Sequence, residues 1–164
     1  MKTLLILRHG KSSWANLYLA DHDRPLKARG KRDAPRMGRL LKEEELTPDL
    51  IISSTAERAL ATAELAALAC DYEGEIETTR DFYHAAPEAY LERLQELPDE
   101  IERVMVVGHN PGLAELVAEL TGEAERFPTA ALAQVALPIE RWGQLDDGTE
   151  GELVNLWRPK ELPG

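Results

Sequence analysis

Residues 3–10 read TLLILRHG, an apolar run of strand length followed at once by Arg8, His9 and Gly10. An uninterrupted apolar run predicts a strand that is buried on both faces, as in a parallel sheet. Ligands of open α/β sheets bind at the carboxyl ends of the strands. We therefore expect the guanidinium group of Arg8 and the imidazole of His9 to lie in a ligand cleft at the end of this first strand.

Beyond this run, strand-like and helix-like segments alternate. Strands are predicted at residues 49–53, 75–79 and 103–107, and helices at residues 55–69, 87–97 and 111–120. An earlier helix is predicted from the apolar spacing between Ala34 and Leu41, with Pro35 either interrupting it or lying in its first turn behind a capping Asp33. Two late strands, residues 131–137 and 152–157, have no helix between them. This order predicts an α/β three-layer sandwich with a mostly parallel central sheet and an antiparallel edge.

The composition is that of an ordinary globular domain. The chain has 164 residues, of which 43% are hydrophobic and 30% charged, and no repeat or flexible linker divides it. We therefore expect one domain over residues 1–164. Apolar runs are too short for a membrane span or a signal peptide, which predicts a cytoplasmic protein. The single cysteine, Cys70, cannot form an internal disulfide.

Charge is unevenly distributed along the chain. The net charge is −11, which argues against nucleic acid or an anionic membrane as a partner. Residues 1–42 nevertheless hold 11 of the 19 basic side chains and only 3 acidic ones. We interpret most of the basic run at residues 24–42 as the solvated face of a helix, and expect a function only for arginines that motifs single out.

Polar side chains follow three of the predicted strands. Arg8 and His9 follow the first, Arg58 follows the second after a pair of serines, and His109 with Asn110 follows the fourth. Because these strands are expected to be parallel, the three turns should converge at one edge of the sheet.

Two of these turns also carry signals for helix starts. Ser54 with Glu57 three residues later fits a capping box, and Asn110 before Pro111 fits a cap with proline at the first helical position. Helix N-termini present free N–H groups and a positive dipole end. Together with two guanidinium groups, two imidazoles and no prominent carboxylate, they predict a site for a tetrahedral oxyanion, above all phosphate.

Histidine in such a site can act as a nucleophile. A neutral imidazole attacks phosphorus and later leaves readily, so it divides phosphoryl transfer into two easier steps. We expect His9 to attack, while Arg8, Arg58 and His109 hold the phosphoryl oxygens and balance their charge. Each residue alone has a structural explanation, but core packing does not explain the four together.

Other motifs are weaker. Residues 10–12 read GKS, like the end of a P-loop, but Leu5 stands where the first glycine of that motif belongs. Residues 21–23 read DHD, which we interpret as a turn because no apolar strand precedes them. The two histidines lack the H-E-x-x-H spacing of a zinc site and have arginine neighbours, so neither a metal nor another cofactor is expected.

The motifs at the strand ends resemble those of a known family. Arg8-His9-Gly10 after a short strand, the serine pair before Arg58, and GHNP at residues 108–111 are similar to the histidine phosphatase superfamily, also called the phosphoglycerate mutase-like fold. Segments KSSW (11–14), DHDRPL (21–26), PTAA (128–131) and RPKEL (158–162) resemble its small phosphohistidine phosphatases.

The resemblance implies roles for individual residues. His9 would accept the phosphoryl group, and the phosphate-binding residues would be Arg8, Arg24, Arg58 and His109. The partner would be a phosphorylated protein or a small phosphorylated substrate. The alternative functions are a small-molecule phosphomonoesterase of the same superfamily and a non-catalytic module that binds phosphate or phosphohistidine.

One departure from the family concerns the leaving group. Its mutases and phosphomonoesterases carry a carboxylic acid after the third strand, where this chain reads RDFYHAAPE at residues 80–88. No residue matches that acid, so Asp81, His84 and Glu88 are candidates for a general acid and equally for surface or helix-start residues. Without an acid, cleavage of a P–O bond suffers more than cleavage of a P–N bond, which favours phosphohistidine as the substrate.

Overall fold

The sheet is the organising element of the structure, a computed structural model that describes residues 1–163. Its strands are β1 (Lys2–Arg8), β2 (Leu50–Ser54), β3 (Ile76–Thr79), β4 (Arg103–Gly108), β5 (Leu132–Leu137) and β6 (Glu152–Trp157). They form one six-stranded sheet in the order β3-β2-β4-β1-β5-β6. The first four strands are mutually parallel, and β5 and β6 add an antiparallel edge. The predicted fold class is confirmed.

Four helices cover the two faces of this sheet. They are α1 (Ala28–Glu43) and α2 (Glu57–Ala69) on one face, and α3 (Pro87–Gln95) and α4 (Gly112–Thr121) on the other. Leu5 and Leu7 of β1 pack with Met37 of α1, whereas Leu4 and Ile6 belong to the cluster on the opposite face. Both faces of β1 are therefore buried, which explains its uninterrupted apolar run. Within residues 1–163, no helix is long and apolar enough to cross a membrane.

Helix α1 starts earlier than the local signals predicted. It begins at Ala28, so Pro35 lies inside the helix and Asp33 is not its cap. Asp33 is instead buried, with its carboxylate 3.6 Å from the Arg29 guanidinium. Packing of buried Met37 and Leu41 stabilises a continuous helix despite the hydrogen bond that proline cannot donate.

The predicted capping box at the start of α2 is wrong. Ser54 is the last residue of β2, and α2 begins at Glu57 after Ala56. Likewise α4 begins at Gly112, so Pro111 precedes the helix, although Asn110 Oδ1 does accept a hydrogen bond from the Ala114 N–H at 3.2 Å. Instead of capping α2, the Ser54 hydroxyl group lies against the turn that follows β4.

Candidate active site

The three polar turns do meet at one edge of the sheet. Strand β4 lies between β1 and β2, and Arg8 stands opposite Gly108 at the shared end of β1 and β4. One cleft at this edge is lined by five residues singled out from the sequence: Arg8, His9, Arg24, Arg58 and His109.

His9 is held in one orientation at the floor of this cleft. Its side chain is nearly buried, and Nδ1 lies 2.7 Å from the carbonyl oxygen of Gly10. A carbonyl oxygen only accepts, so Nδ1 carries the proton and Nε2 keeps its lone pair. Burial, together with the charges of Arg58, Arg8 and Arg24, lowers the pKa of His9 to about 4, although the contact with the Gly10 carbonyl acts to raise it. The imidazole is therefore neutral at pH 7.

The backbone beside His9 is fixed by close packing. Thr62 Oγ1 accepts a hydrogen bond from the Gly10 N–H at 2.9 Å and donates one to the Arg58 carbonyl at 2.7 Å. A Cβ atom at Gly10 would lie only 2.9 Å from Gly30 Cα, in the first turns of α1. This contact requires glycine, and it locks the turn after β1 between α1 and α2.

His109 faces His9 across the cleft, with ring centroids 5.1 Å apart. Its Nε2 lies 2.8 Å from Ser54 Oγ, which already accepts the Ala56 N–H at 3.2 Å. If the Ser54 hydroxyl donates its proton to Nε2, the imidazole proton lies on Nδ1. Nδ1 is buried and has no partner among the described residues. A buried N–H without an acceptor is costly, and an anion in the cleft would satisfy it.

Three guanidinium groups give the cleft its positive charge. Arg24 and Arg58 are only 6% and 5% exposed, and Arg8 donates from Nη1 to the Phe127 carbonyl at 3.1 Å. Burial and the neighbouring Arg58 lower the pKa of Arg8. Burial, with the charges of His9 and Arg58, also lowers the pKa of His109 to about 3. An excess of positive charge at a partly buried site favours binding of an anion.

One carboxylate, which the sequence did not predict, organises two of these arginines. Asp21 accepts hydrogen bonds from Arg24 Nη1 at 2.8 Å, Arg58 Nη2 at 3.0 Å and the Tyr83 hydroxyl at 2.6 Å. Asp21 does not itself line the cleft, and among residues 1–163 the lining holds no carboxylate, as the sequence predicted. Residues Asp21–Asp23 do form a short 3₁₀ turn, as predicted.

The Asp21 carboxylate stays ionised in this setting. Partial burial acts to raise the pKa of Asp21, but hydrogen bonds from Tyr83, Arg24 and Arg58 outweigh it and hold the pKa far below its usual range. Spacing alone offered one signal, since Asp21 stands three residues before Arg24. Its other two partners are distant in sequence, which hid the cluster.

The three candidates for a general acid fall in different places. His84 lines the cleft, with Nε2 3.7 Å from Asp21 Oδ2 and its backbone in the left-handed region at φ 53°. Asp81 lines a separate surface depression, and Glu88 is exposed in the first turn of α3. Of the three, only His84 shares the cleft with His9.

Known proteins resemble this chain over most of its length. Residues 4–84 match the model of the histidine phosphatase superfamily (branch 1). The chain is 35% identical to At3g52155 of Arabidopsis thaliana over 81% of this chain and 66% of that protein. It is 32% identical to Rv1276c of Mycobacterium tuberculosis over 87% of this chain and 93% of that protein. A solved structure of the protein histidine phosphatase SixA complexed with tungstate superposes with a TM-score of 0.83, at 26% identity, over 98% of this chain and 99% of that one.

Proposed function

This chain belongs to the histidine phosphatase superfamily, and from that premise we propose that it is a phosphatase that hydrolyses phosphohistidine in proteins. The observation that carries the proposal is the state of His9. Its imidazole is neutral, its Nε2 is free to attack, and it faces a cleft of positive charge. A phosphoryl group is the substrate that these features suit together.

The proposed reaction has two steps. In the first, His9 Nε2 attacks phosphorus, a P–N bond to His9 forms, and the P–N bond of the substrate breaks, so that the substrate imidazole leaves with a proton. In the second, water attacks phosphorus, the bond to His9 breaks, and inorganic phosphate is released. The Gly10 carbonyl holds Nδ1–H in both steps and so supports the positive charge that develops on the phosphorylated ring.

The remaining residues are proposed to stabilise charge. Arg8, Arg24 and Arg58 would donate to the phosphoryl oxygens, and His109 would donate the Nδ1–H that otherwise lacks a partner. Donors that are already oriented stabilise the transition state without reorganising. The tungstate in the SixA relative is a tetrahedral oxyanion, which supports the same use of this cleft here.

His84 is proposed as the group that protonates the leaving nitrogen. It lies at the open side of the cleft, next to Tyr83 with ring centroids 4.0 Å apart, and near the Asp21 carboxylate. The same imidazole, after losing its proton, would accept one from the attacking water in the second step. Asp81 and Glu88 lack such a position.

The proposal includes three further expectations from the sequence, on the domain, the location and the cofactors. We expect a single domain over residues 1–164, a cytoplasmic location, and a reaction that needs no metal or other cofactor. A small-molecule phosphomonoesterase would use the same His9 and differ only in the leaving group. A non-catalytic phosphohistidine-binding module is disfavoured, because such a module gains nothing from a neutral histidine with a free Nε2 in its pocket.

A substrate panel with a chelator present tests the proposed function. The purified protein would be given a phosphohistidine peptide, a phosphoserine peptide and glycerol phosphate. We expect kcat/KM for phosphohistidine to exceed that for phosphoserine by about 10² or more, because a leaving imidazole needs less help from an acid than a leaving alkoxide does. Faster cleavage of glycerol phosphate would point to the phosphomonoesterase, and phosphohistidine binding without turnover would point to the binding module.

A further inference from the structure

The loop that follows β1 exposes an unusual group of apolar side chains. Trp14, Leu17, Tyr18 and Leu19 are 64%, 84%, 100% and 38% exposed, and we call these four residues the apolar lip. Within residues 1–163, the other exposed large apolar side chains are Met1, Leu68 and Val154, which are scattered. Single exposed apolar residues are ordinary, but a cluster of them marks an interaction site.

Hydrogen bonds within the loop and at both of its ends fix the backbone of the apolar lip. Asn16 accepts hydrogen bonds from the Tyr18 N–H at its Oδ1 (3.0 Å) and from the Leu19 N–H at its carbonyl (3.3 Å). At one end of the loop the Ser13 carbonyl accepts from Arg24 Nε at 3.1 Å. At the other end lies Asp21, bound by Arg24 and Arg58. Both ends of the loop are thus tied to the arginines of the cleft.

Contact with the phosphate-binding residues is direct. Trp14 lines the cleft, and its ring lies against the Arg24 guanidinium, 3.3 Å from ring centroid to Cζ. A molecule whose phosphoryl group enters the cleft therefore has its neighbouring atoms beside the lip. Residues 13–20 carry no charge, although 30% of the chain is charged. The uncharged apolar lip thus lies beside a cationic cleft.

From this arrangement we propose that the apolar lip docks the apolar surface around the phosphohistidine of a folded protein substrate. This inference rests on the proposed function and names the part of the substrate that the cleft does not reach. A small phosphorylated molecule can fill the cleft but cannot cover Leu17 and Tyr18. A protein surface can, and aromatic side chains are the usual anchors of such contacts.

The test compares one protein substrate with one small substrate. The protein substrate is an autophosphorylated histidine kinase, and the small one is free N-phosphohistidine. The lip variant combines Leu17→Ser, Tyr18→Ser and Leu19→Ser, and keeps Trp14 so that the contact with Arg24 is retained. We expect KM for the phosphorylated kinase to rise about 10-fold or more, as for loss of a central apolar contact, with kcat/KM for free phosphohistidine within about twofold of wild type.

A matched control removes apolar side chains of similar exposure elsewhere. The double variant Leu68→Ser and Val154→Ser should leave both substrates unaffected. A lip variant that keeps its KM for the kinase would overturn the inference, as would equal loss of activity on both substrates or a wild-type protein that cleaves only free phosphohistidine. A wild-type protein that cleaves neither substrate would instead refute the proposed function.

Two other occupants of the lip are outcomes of the same experiment. Light scattering would show a wild-type dimer that dissociates in the lip variant if a second copy of this chain covers the lip. Co-sedimentation with vesicles of phosphatidylcholine and phosphatidylglycerol would be lost in the variant if the lip binds lipid. Either result would overturn docking of a protein substrate. If the lip docks a protein substrate, wild type and the lip variant should have the same size in solution, and neither should sediment with the vesicles.

Discussion

The Arg58 guanidinium donates two hydrogen bonds to Asp21, from Nη1 to the carbonyl oxygen at 2.7 Å and from Nη2 to Oδ2 at 3.0 Å. The side chain of Arg58 is therefore oriented before any ligand binds. The same carboxylate holds Arg24, so one acidic residue sets the direction of two cations in the cleft. Asp21 is accordingly a positioning residue, and its removal should affect the reaction through the arginines.

Replacement of Asp21 by asparagine tests this role. Asp21→Asn keeps the shape of the side chain but loses the charge that orients Arg24 and Arg58. We expect kcat to fall about 10-fold to 100-fold, as for loss of a supporting partner in an active site, with a smaller change in KM. The measurement is steady-state hydrolysis of phosphohistidine peptide. The neighbouring Asp23→Asn serves as control, since Asp23 is exposed and should be dispensable; equal effects of both variants would contradict the positioning role.

Arg58 itself should contribute mainly in the transition state. Arg58→Ala is expected to lower kcat by about 10² or more, by analogy with the loss of one oxyanion donor. Arg58→Lys should not restore the rate, because the single nitrogen of an ammonium group cannot span the two Asp21 oxygens and the phosphate as the planar fork of a guanidinium group does. A lysine variant with wild-type kcat would show that charge alone suffices.

The pH dependence of stability follows from the two buried histidines. The pKa of His9 is lowered to about 4 and that of His109 to about 3, so both stay neutral in the fold where an unfolded chain would protonate them. Because both pKa values are lower in the folded state than in the unfolded chain, the free energy of unfolding is largest above about pH 6.5 and decreases as the pH falls. Between about pH 6 and pH 4.5, each histidine should cost about 1.4 kcal/mol of unfolding free energy per pH unit.

Urea denaturation at several pH values measures this slope. The variant His109→Gln should show a shallower loss of stability on acidification than wild type, because it has one buried imidazole fewer. An identical slope in wild type and variant would contradict the assigned pKa shift of His109.

His84 should matter most for poor leaving groups. His84→Ala is expected to lower kcat/KM for a phosphoserine peptide by about 10² to 10⁴ but that for 4-nitrophenyl phosphate far less, since nitrophenolate leaves without a proton. The variants Asp81→Ala and Glu88→Ala, assayed in parallel, should leave both substrates unaffected. A larger effect from Asp81→Ala or Glu88→Ala than from His84→Ala would reassign the acid.

The sequence predicted the sheet and the convergence of its turns for a clear reason. An apolar run such as residues 3–7 directly indicates a buried strand, and parallel strands place the residues that follow them at one edge of the sheet. Local signals failed where long-range packing dominates. Pro35 lies inside α1, and Ser54 hydrogen-bonds to His109 instead of capping α2.

Asp21 shows why the cleft could not be predicted completely. Its partner Arg58 is 37 positions away in the chain and Tyr83 is 62 positions away, so no motif spans the cluster. The short 3₁₀ turn that aims its carboxylate is visible only in the folded chain.

Capture of a phosphorylated His9 tests the proposed nucleophile most directly. The protein would be mixed briefly with ³²P-labelled phosphohistidine peptide, quenched in alkali, digested and sequenced. Label should appear on the peptide that contains His9, survive base and be lost in acid, as an N-phosphoryl bond requires. His9→Ala should show neither label nor turnover. Label on another residue, or a His9→Ala variant that retains most of the wild-type rate, would show that His9 is not the nucleophile.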